Sequence, residues 1–321
     1  MDNVIRRMTE YIKAEAERLG FSACGIAKAE PVDGVHADAF RDWISGNFNA
    51  GMSYMANWME LRLDPRKLME GCRSVISLAL NYSPPTKLPD DRYQFSYYAY
   101  GKDYHDVMKQ LMRTLQTRIL EFAESIPDID AASLDFRICC DTAPILDRYW
   151  AWRSGIGWIG KNTNLIIPHA GSFFFLGEIL VNMELEYGSP LEQRCGSCRA
   201  CIDACPAKAL SHPYRLDANR CLSYLTIENR GNIPEDMISC MGNCVYGCDR
   251  CQQACPHNRW ATPTEVQEFM PSERFMSMDN ASWEALTIDD YREIFRGSAV
   301  KRAKYEGLMR NISAVAKNSG R

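Results

Sequence analysis

No apolar run in this 321-residue chain is long enough to cross a bilayer, so a helical membrane span is not expected. The opening Met1-Asp2-Asn3-Val4-Ile5-Arg6-Arg7 lacks the apolar stretch of a secretory signal. Disulfides are therefore not expected either, and the thiols belong in a reducing, cytoplasmic compartment. There is no low-complexity segment, and a composition of 46% hydrophobic and 24% charged residues is ordinary for a globular protein. A net charge of −4 argues against indiscriminate nucleic-acid binding. That total hides one basic stretch: residues 291–321 hold Arg292, Arg296, Lys301, Arg302, Lys304, Arg310, Lys317 and Arg321 against Glu293 and Glu306. Such a stretch is either a surface for phosphates or a solvated helical face.

Cysteine is abundant, with 14 residues, and its spacing is specific. Cys195-x2-Cys198-x2-Cys201-x3-Cys205-Pro206 is the full spacing of two-cluster ferredoxins, in which three thiolates hold one 4Fe-4S cubane and the fourth reaches the other. The second run, Cys248-x2-Cys251-x3-Cys255-Pro256, is one ligand short because Val245 stands where a cysteine is needed. Cys221, between the runs, is the replacement. Cluster one is then expected on Cys195, Cys198, Cys201 and Cys255, and cluster two on Cys205, Cys221, Cys248 and Cys251. Two structural zinc sites are the competing reading, but zinc patterns rarely place three thiolates at x2-x2 spacing with a fourth before proline.

Around these runs the chain reads as alternating helices and strands. Val4, Ile5, Met8, Tyr11, Ile12 and Leu19 predict an amphipathic helix stopped by Gly20, and Phe21 to Ala27 a short strand. Val75 to Leu80 predicts a buried strand, Tyr104 to Ser125 a long helix, and Phe136–Cys140 and Ser172–Met183 further strands. This gives an α/β layered domain over 1–185, a cysteine-rich module over 186–260, and a helical basic segment over 261–321. With every iron given its thiolate, the clusters have no open site for substrate. The first domain must hold whatever receives their electrons.

Three segments there carry polar chemistry. Gly155-Ile156-Gly157-Trp158-Ile159-Gly160-Lys161-Asn162 fits G-x-G-x-x-G and nearly a P-loop, but the residues before it predict helix where both motifs need a strand. Its glycines are read as a close approach of backbone to something flat and large, or as a plain tight turn. Asp141 is either an N-cap or a general acid whose pKa is raised by the apolar walls of Tyr149, Trp150 and Trp152. His105, in Tyr100-Gly101-Lys102-Asp103-Tyr104-His105, is either structural or lines a polar pocket.

Taken in order, these segments, with Asp141-Thr142-Ala143-Pro144, Gly171-Ser172, Arg220-Cys221-Leu222-Ser223-Tyr224-Leu225-Thr226 and Tyr246-Gly247-Cys248-Asp249-Arg250-Cys251, resemble the epoxyqueuosine reductase family. The resemblance implies a cobalamin-binding α/β domain joined to a ferredoxin-like double 4Fe-4S domain and a short helical tail. It also implies base-off cobalamin, reduced through the clusters, that converts an epoxide to an alkene in tRNA, with Asp141 as proton donor. Arg62, Ser96, Asp103, His105, Asp141, Leu165, Leu176, Ser223, Asp249 and Arg250 fall in segments that the resemblance places near corrin or substrate. The absence of a D-x-H-x-x-G signature fits a cobalt without a protein imidazole. A low-potential electron donor, no membrane partner and a monomer are expected. The competing readings are a corrinoid iron–sulfur reductase of a small molecule, similar to reductive dehalogenases, and a non-catalytic ferredoxin-like electron carrier.

Overall fold

The computed structural model describes residues 2–318. Helix α1 (Asp2–Arg18) ends at Gly20, whose φ of +91° suits glycine, and strand β1 (Ala23–Lys28) follows. Helices α2 (Gly34–Ser45), α3 (Met59–Arg62) and α4 (Pro65–Leu68) lead to β2 (Ser74–Asn81), and short β3 (Gln94–Phe95) precedes the long α5 (Tyr104–Glu124). Next come β4 (Phe136–Cys139), α6 (Asp147–Arg153), the hairpin of β5 (Trp158–Ile159) and β6 (Leu165–Ile166), and β7 (Phe174–Val181).

Strands β1, β2, β7 and β4 lie side by side in that order, every pair antiparallel. The layered α/β reading holds, with helices covering the sheet rather than crossing between parallel strands. Two-residue alternation sorts the layers. Ile76, Leu78 and Leu80 of β2 pack with Met8 and Ile12 of α1 and Met108, Met112 and Leu115 of α5. Val75 turns to the other face, with Leu68, Tyr149, Trp150 and Leu180. Each such side chain contributes about 1.5–3 kcal/mol by leaving water. Gly177 of β7 keeps α5 close, since a Cβ there would crowd Met108 and Met112.

The cysteine-rich part contributes α7 (Ala200–Asp203), α8 (Leu222–Ile227), α9 (Glu235–Met241), β8 (Cys244–Tyr246) and α10 (Arg250–Gln253). The remainder adds α11 (Glu273–Ser277), α12 (Asn280–Glu284), α13 (Ile288–Ile294) and α14 (Lys304–Asn318). The stretches just after residues 185 and 260 carry neither helix nor strand, yet the core does not stop at them. Leu80 and Phe95 share one apolar cluster with Val245 and Tyr246 and with Trp283, Phe295 and Leu308. Strand β3 pairs in parallel with β8. Buried Asn311 of α14 donates to the carbonyls of Thr226 and Val245, each at 2.8 Å.

The basic stretch is partly consumed by this docking. Arg302 makes a two-pronged pair with Glu228 at 2.7 and 2.8 Å, and Arg310 donates to the carbonyls of Leu225, Asn229 and Gly231. Lys301 and Lys304 remain exposed, and Arg321 lies outside the described residues. Among the described residues no helix is long and apolar enough to cross a membrane.

Candidate active site and cluster sites

The cysteines fold into two groups. Cys195, Cys198, Cys201 and Cys255 line one small cavity together with Lys161, Asn162 and His257. Cys205, Cys221, Cys248 and Cys251 lie near one another as a second group. Each group draws on both runs, so the interleaving follows from the chain path through α7 and α10. Four thiols around one cavity offer the donor set that a 4Fe-4S cubane takes. Cys240 and Cys244 stand beside the second group: the Cys240 thiol donates to the Pro206 carbonyl at 3.4 Å, and the buried Cys244 thiol lies against Cys248.

The glycine-rich segment serves this cavity rather than a nucleotide. It follows α6, not a strand, and a Cβ at Gly157 would overlap the Ile166 carbonyl across the hairpin. The glycines therefore approach their own hairpin partner, which is the tight-turn reading. Lys161 at the hairpin tip donates to the carbonyls of Gly196 at 2.5 Å and Cys198 at 2.9 Å, and Asn162 donates to that of Cys251 at 3.4 Å. In the sequence, segment 155–162 is legible only as a failed P-loop. Its lysine tip satisfies carbonyl acceptors in the first cysteine loop.

Asp141 sits just past β4 with φ of +56°, a left-handed conformation that costs a non-glycine residue about 1–2 kcal/mol. It is not an N-cap, since α6 starts after Leu146 without a side-chain cap. Its Oδ2 accepts from the Tyr104 hydroxyl at 2.9 Å and lies 3.2 Å from His105 Nε2. His105 Nδ1 is 2.7 Å from Asp103, which also caps α5. Although the Asp141 side chain is 62% exposed, the packing around it pulls its pKa upward, but hydrogen bonds from His105 and Tyr104 outweigh that pull and hold the carboxyl below its ordinary range. For His105, burial pulls downward and the two carboxylates pull harder, so its pKa rises to about 9. The resting state is thus imidazolium between two carboxylates.

The expected walls of Asp141 are corrected by this geometry. Tyr149 instead accepts a hydrogen bond from Asp33 N at 3.2 Å, Trp150 is fully buried in the core, and Trp152 packs on His36. The real neighbours, Tyr104 and His105, come from the start of α5. Tyr104 stacks on Phe175 with centroids 4.3 Å apart, which fixes its hydroxyl. Tyr104 was missed as a partner, although it stands between Asp103 and His105 in the singled-out motif.

The other candidates divide. Arg62 is buried on the Asp141 side: it donates weakly to the carbonyls of Ile145 and Tyr54, both at 3.4 Å, and its Nε has no partner. Leu165 and Leu176 share an apolar patch there with Ala79 and Ala151. Ser223 lies in α8 beside Cys221, and its neighbour Tyr224 reaches across to Gly51 N at 2.9 Å. Ser96, Asp249 and Arg250 instead line a second cavity of about 600 Å³ with Cys244 and Cys248. Their side chains are engaged with protein: Ser96 donates to Asp249, Tyr97 N donates to Asp249 at 2.7 Å, and Arg250 binds the carbonyls of Cys240 and Met241 at 2.8 and 2.9 Å. Tyr98 connects the two regions, with its ring 6.2 Å from Tyr104 and its hydroxyl 3.1 Å from that of Tyr246.

Comparison with known proteins fits both halves of this arrangement. Residues 194–258 match the model of a 4Fe-4S double cluster binding domain, and residues 62–142 match one described as Epoxyqueuosine reductase QueG, DUF1730. An epoxyqueuosine reductase of Cellulophaga algicola is 43% identical, the match covering 97% of this chain and 98% of the relative. One of Escherichia coli is 35% identical over 98% of this chain and 82% of its own length. A crystal structure of an epoxyqueuosine reductase with an epoxyqueuosine-modified tRNA stem loop superposes with a TM-score of 0.87, at 28% identity, over 97% of this chain and 81% of that one. The Bacillus subtilis enzyme, at a TM-score of 0.86 and 27% identity over 97% of this chain and 82% of that one, has been seen with an aspartate catalytic loop swung out of its active site.

Proposed function

The chain belongs to the epoxyqueuosine reductase family, and from that premise we propose that it reduces the epoxide of epoxyqueuosine in tRNA to the alkene of queuosine. The oxidoreductase needs two electrons and two protons per turnover, and the oxygen leaves as water. The observation that carries the proton side is the Asp103–His105–Asp141 array, with its proton on the imidazole and its outer carboxylate 62% exposed. Substrate settling over Asp141 would strip water from the carboxylate and raise its pKa. The proton then passes from His105 Nε2 to Asp141 Oδ2 and on to the departing oxygen, while Asp103 steadies the ring.

On the electron side, the two thiol groups are assigned as ligands of two 4Fe-4S clusters: Cys195, Cys198, Cys201 and Cys255 for one, and Cys205, Cys221, Cys248 and Cys251 for the other. The residues near Asp141 also fit a corrin, because the buried and unpartnered Arg62 Nε offers a donor to an amide or phosphate oxygen. Base-off cobalamin bound there would supply the low-potential electrons, replenished through the clusters from an external donor. Arg62 would anchor its polar periphery, Leu165 and Leu176 would exclude water, and Ser96, after β3, would contribute main-chain contacts together with Ser223, Asp249 and Arg250 of the cysteine-rich part. A relative seen with a modified tRNA stem loop supports tRNA as substrate, with exposed Lys301 and Lys304 meeting phosphates.

The test is anaerobic purification with iron and cobalt analysis, then turnover of tRNA carrying epoxyqueuosine under a low-potential reductant. About eight irons per chain are expected for two four-iron clusters. Zinc in their place refutes the cluster assignment, and full turnover without cobalt refutes the corrin. Asp141→Asn that keeps wild-type turnover with all cofactors bound refutes the proton donor.

A further inference from the structure

Behind Asp141 lies a carboxyl group that this chemistry leaves unused. Glu178 stands in the middle of β7, in register with Ser77 of β2 and Cys139 of β4, and is fully buried. Neither of its carboxyl oxygens meets a donor, and the polar group beside it is the side chain of Asp147 at the start of α6. Two carboxyl groups in contact are both acceptors, so a proton must lie between them. Asp147 in turn faces the loop: the Asp141 main-chain N–H points to its Oδ1 at 3.4 Å. The Asp141 backbone, held in its left-handed turn, thus rests on the pair from below.

We propose that Asp147 and Glu178 act as one positioning pair for Asp141, sharing a single proton that keeps Glu178 neutral and leaves Asp147 free to hold the Asp141 main chain. This rests on the proton-donor reading of Asp141 and adds residues to it. The titratable groups facing the pair are Asp141 itself, Arg62 of α3, Tyr104 of α5, and the Cys139 and Cys140 thiols at the end of β4. Burial raises Glu178 far above the ordinary carboxyl range, and burial together with the Asp141 charge raises Asp147 to about 6. The docked loop therefore binds a proton at Asp147 more readily than a loop swung away would. A proton on Asp147 relieves its repulsion with the Asp141 carboxylate and still leaves an oxygen to accept the Asp141 N–H, so docking is tightest below pH about 6 and loosens above it as the repulsion returns.

Two measurements on the holoprotein decide the matter. Infrared spectroscopy at pH 7.5 should show a neutral carboxyl C=O band that disappears in Glu178→Gln. A wild-type band absent at that pH, or unchanged in the variant, overturns the proposal whatever Asp141 does. The pH profile of single-turnover reduction should contain a transition near 6 that is lost in Asp147→Asn and moved upward in Glu178→Leu. Glu178→Gln, which can still donate to Asp147, should retain at least a third of the wild-type rate while Glu178→Leu falls tenfold or more. Equal rates and unmoved profiles in both Glu178 variants overturn the pair. Asp141→Asn alone would be inactive with the infrared band intact, which separates failure of this pair from failure of the proton donor.

Discussion

Asp141→Asn should lower the His105 pKa. His105 is drawn up from 6.5 to about 9 by Asp103 at 2.7 Å and Asp141 at 3.2 Å. At about 1.36 kcal/mol per pH unit this is ~3 kcal/mol, and solvent on the 62% exposed Asp141 side chain reduces it to roughly 2 kcal/mol. Because the folded value lies above the unfolded one, this stabilisation is fully present below pH 6.5 and is lost as pH rises through about 9. Neutralising Asp141 removes the longer contact and leaves the shorter, so the titration midpoint should fall by about one pH unit. Asp103→Asn should lower it further. With five histidines in the chain, ring resonances of labelled holoprotein with oxidised clusters can be followed individually from pH 5 to 10. A His105 that titrates below 7 in the wild type, or at the same pH in Asp141→Asn, would refute the ion-pair account.

Further outcomes test other parts. Cys221→Ala should reduce iron from about eight to about four per chain and leave the first thiol group loaded, which metal analysis and absorbance read directly. Lys161→Met removes the donor to the Gly196 and Cys198 carbonyls, so iron loss to a chelator should quicken while thermal stability changes by less than about 1 kcal/mol. Trp283→Ala empties a fully buried site between Phe95, Phe275 and Phe295 and should cost about 3–5 kcal/mol in denaturant unfolding. Lys301→Glu with Lys304→Glu should weaken tRNA binding and flatten its salt dependence, leaving cluster content unchanged.

The strands and long helices were legible because apolar periodicity is local. Predicted Val75–Leu80 and Tyr104–Ser125 became Ser74–Asn81 and Tyr104–Glu124. The cysteine quartets were legible for a related reason, since x2-x2-x3 spacing sets which thiols a short helical turn can converge. Asp141's surroundings were not. Neighbours in sequence suggested Tyr149, Trp150 and Trp152, but α6 turns those rings toward α2 and the core, and the true partners lie 36 and 37 residues earlier. Glu178 gave a signal that passed unused: a carboxylate inside Phe173-Phe174-Phe175-Leu176-Gly177-Glu178-Ile179-Leu180 has no solvated face to turn to. The composition of that strand says that something must hold its proton, and only the fold says what.

The core shared by β3, β8 and α14 bears on how such an enzyme can be rebuilt. A redox module joined by a hinge could be exchanged for another, with its reach set by a linker. Here the β3–β8 ladder and the Asn311 bonds make the cysteine-rich part an inner wall of the molecule, so excising it would strip the sheet domain of its own hydrophobic support. The spacing from thiol groups to Asp141 is therefore a property of the folded solid, and a graft between relatives would have to carry both walls together.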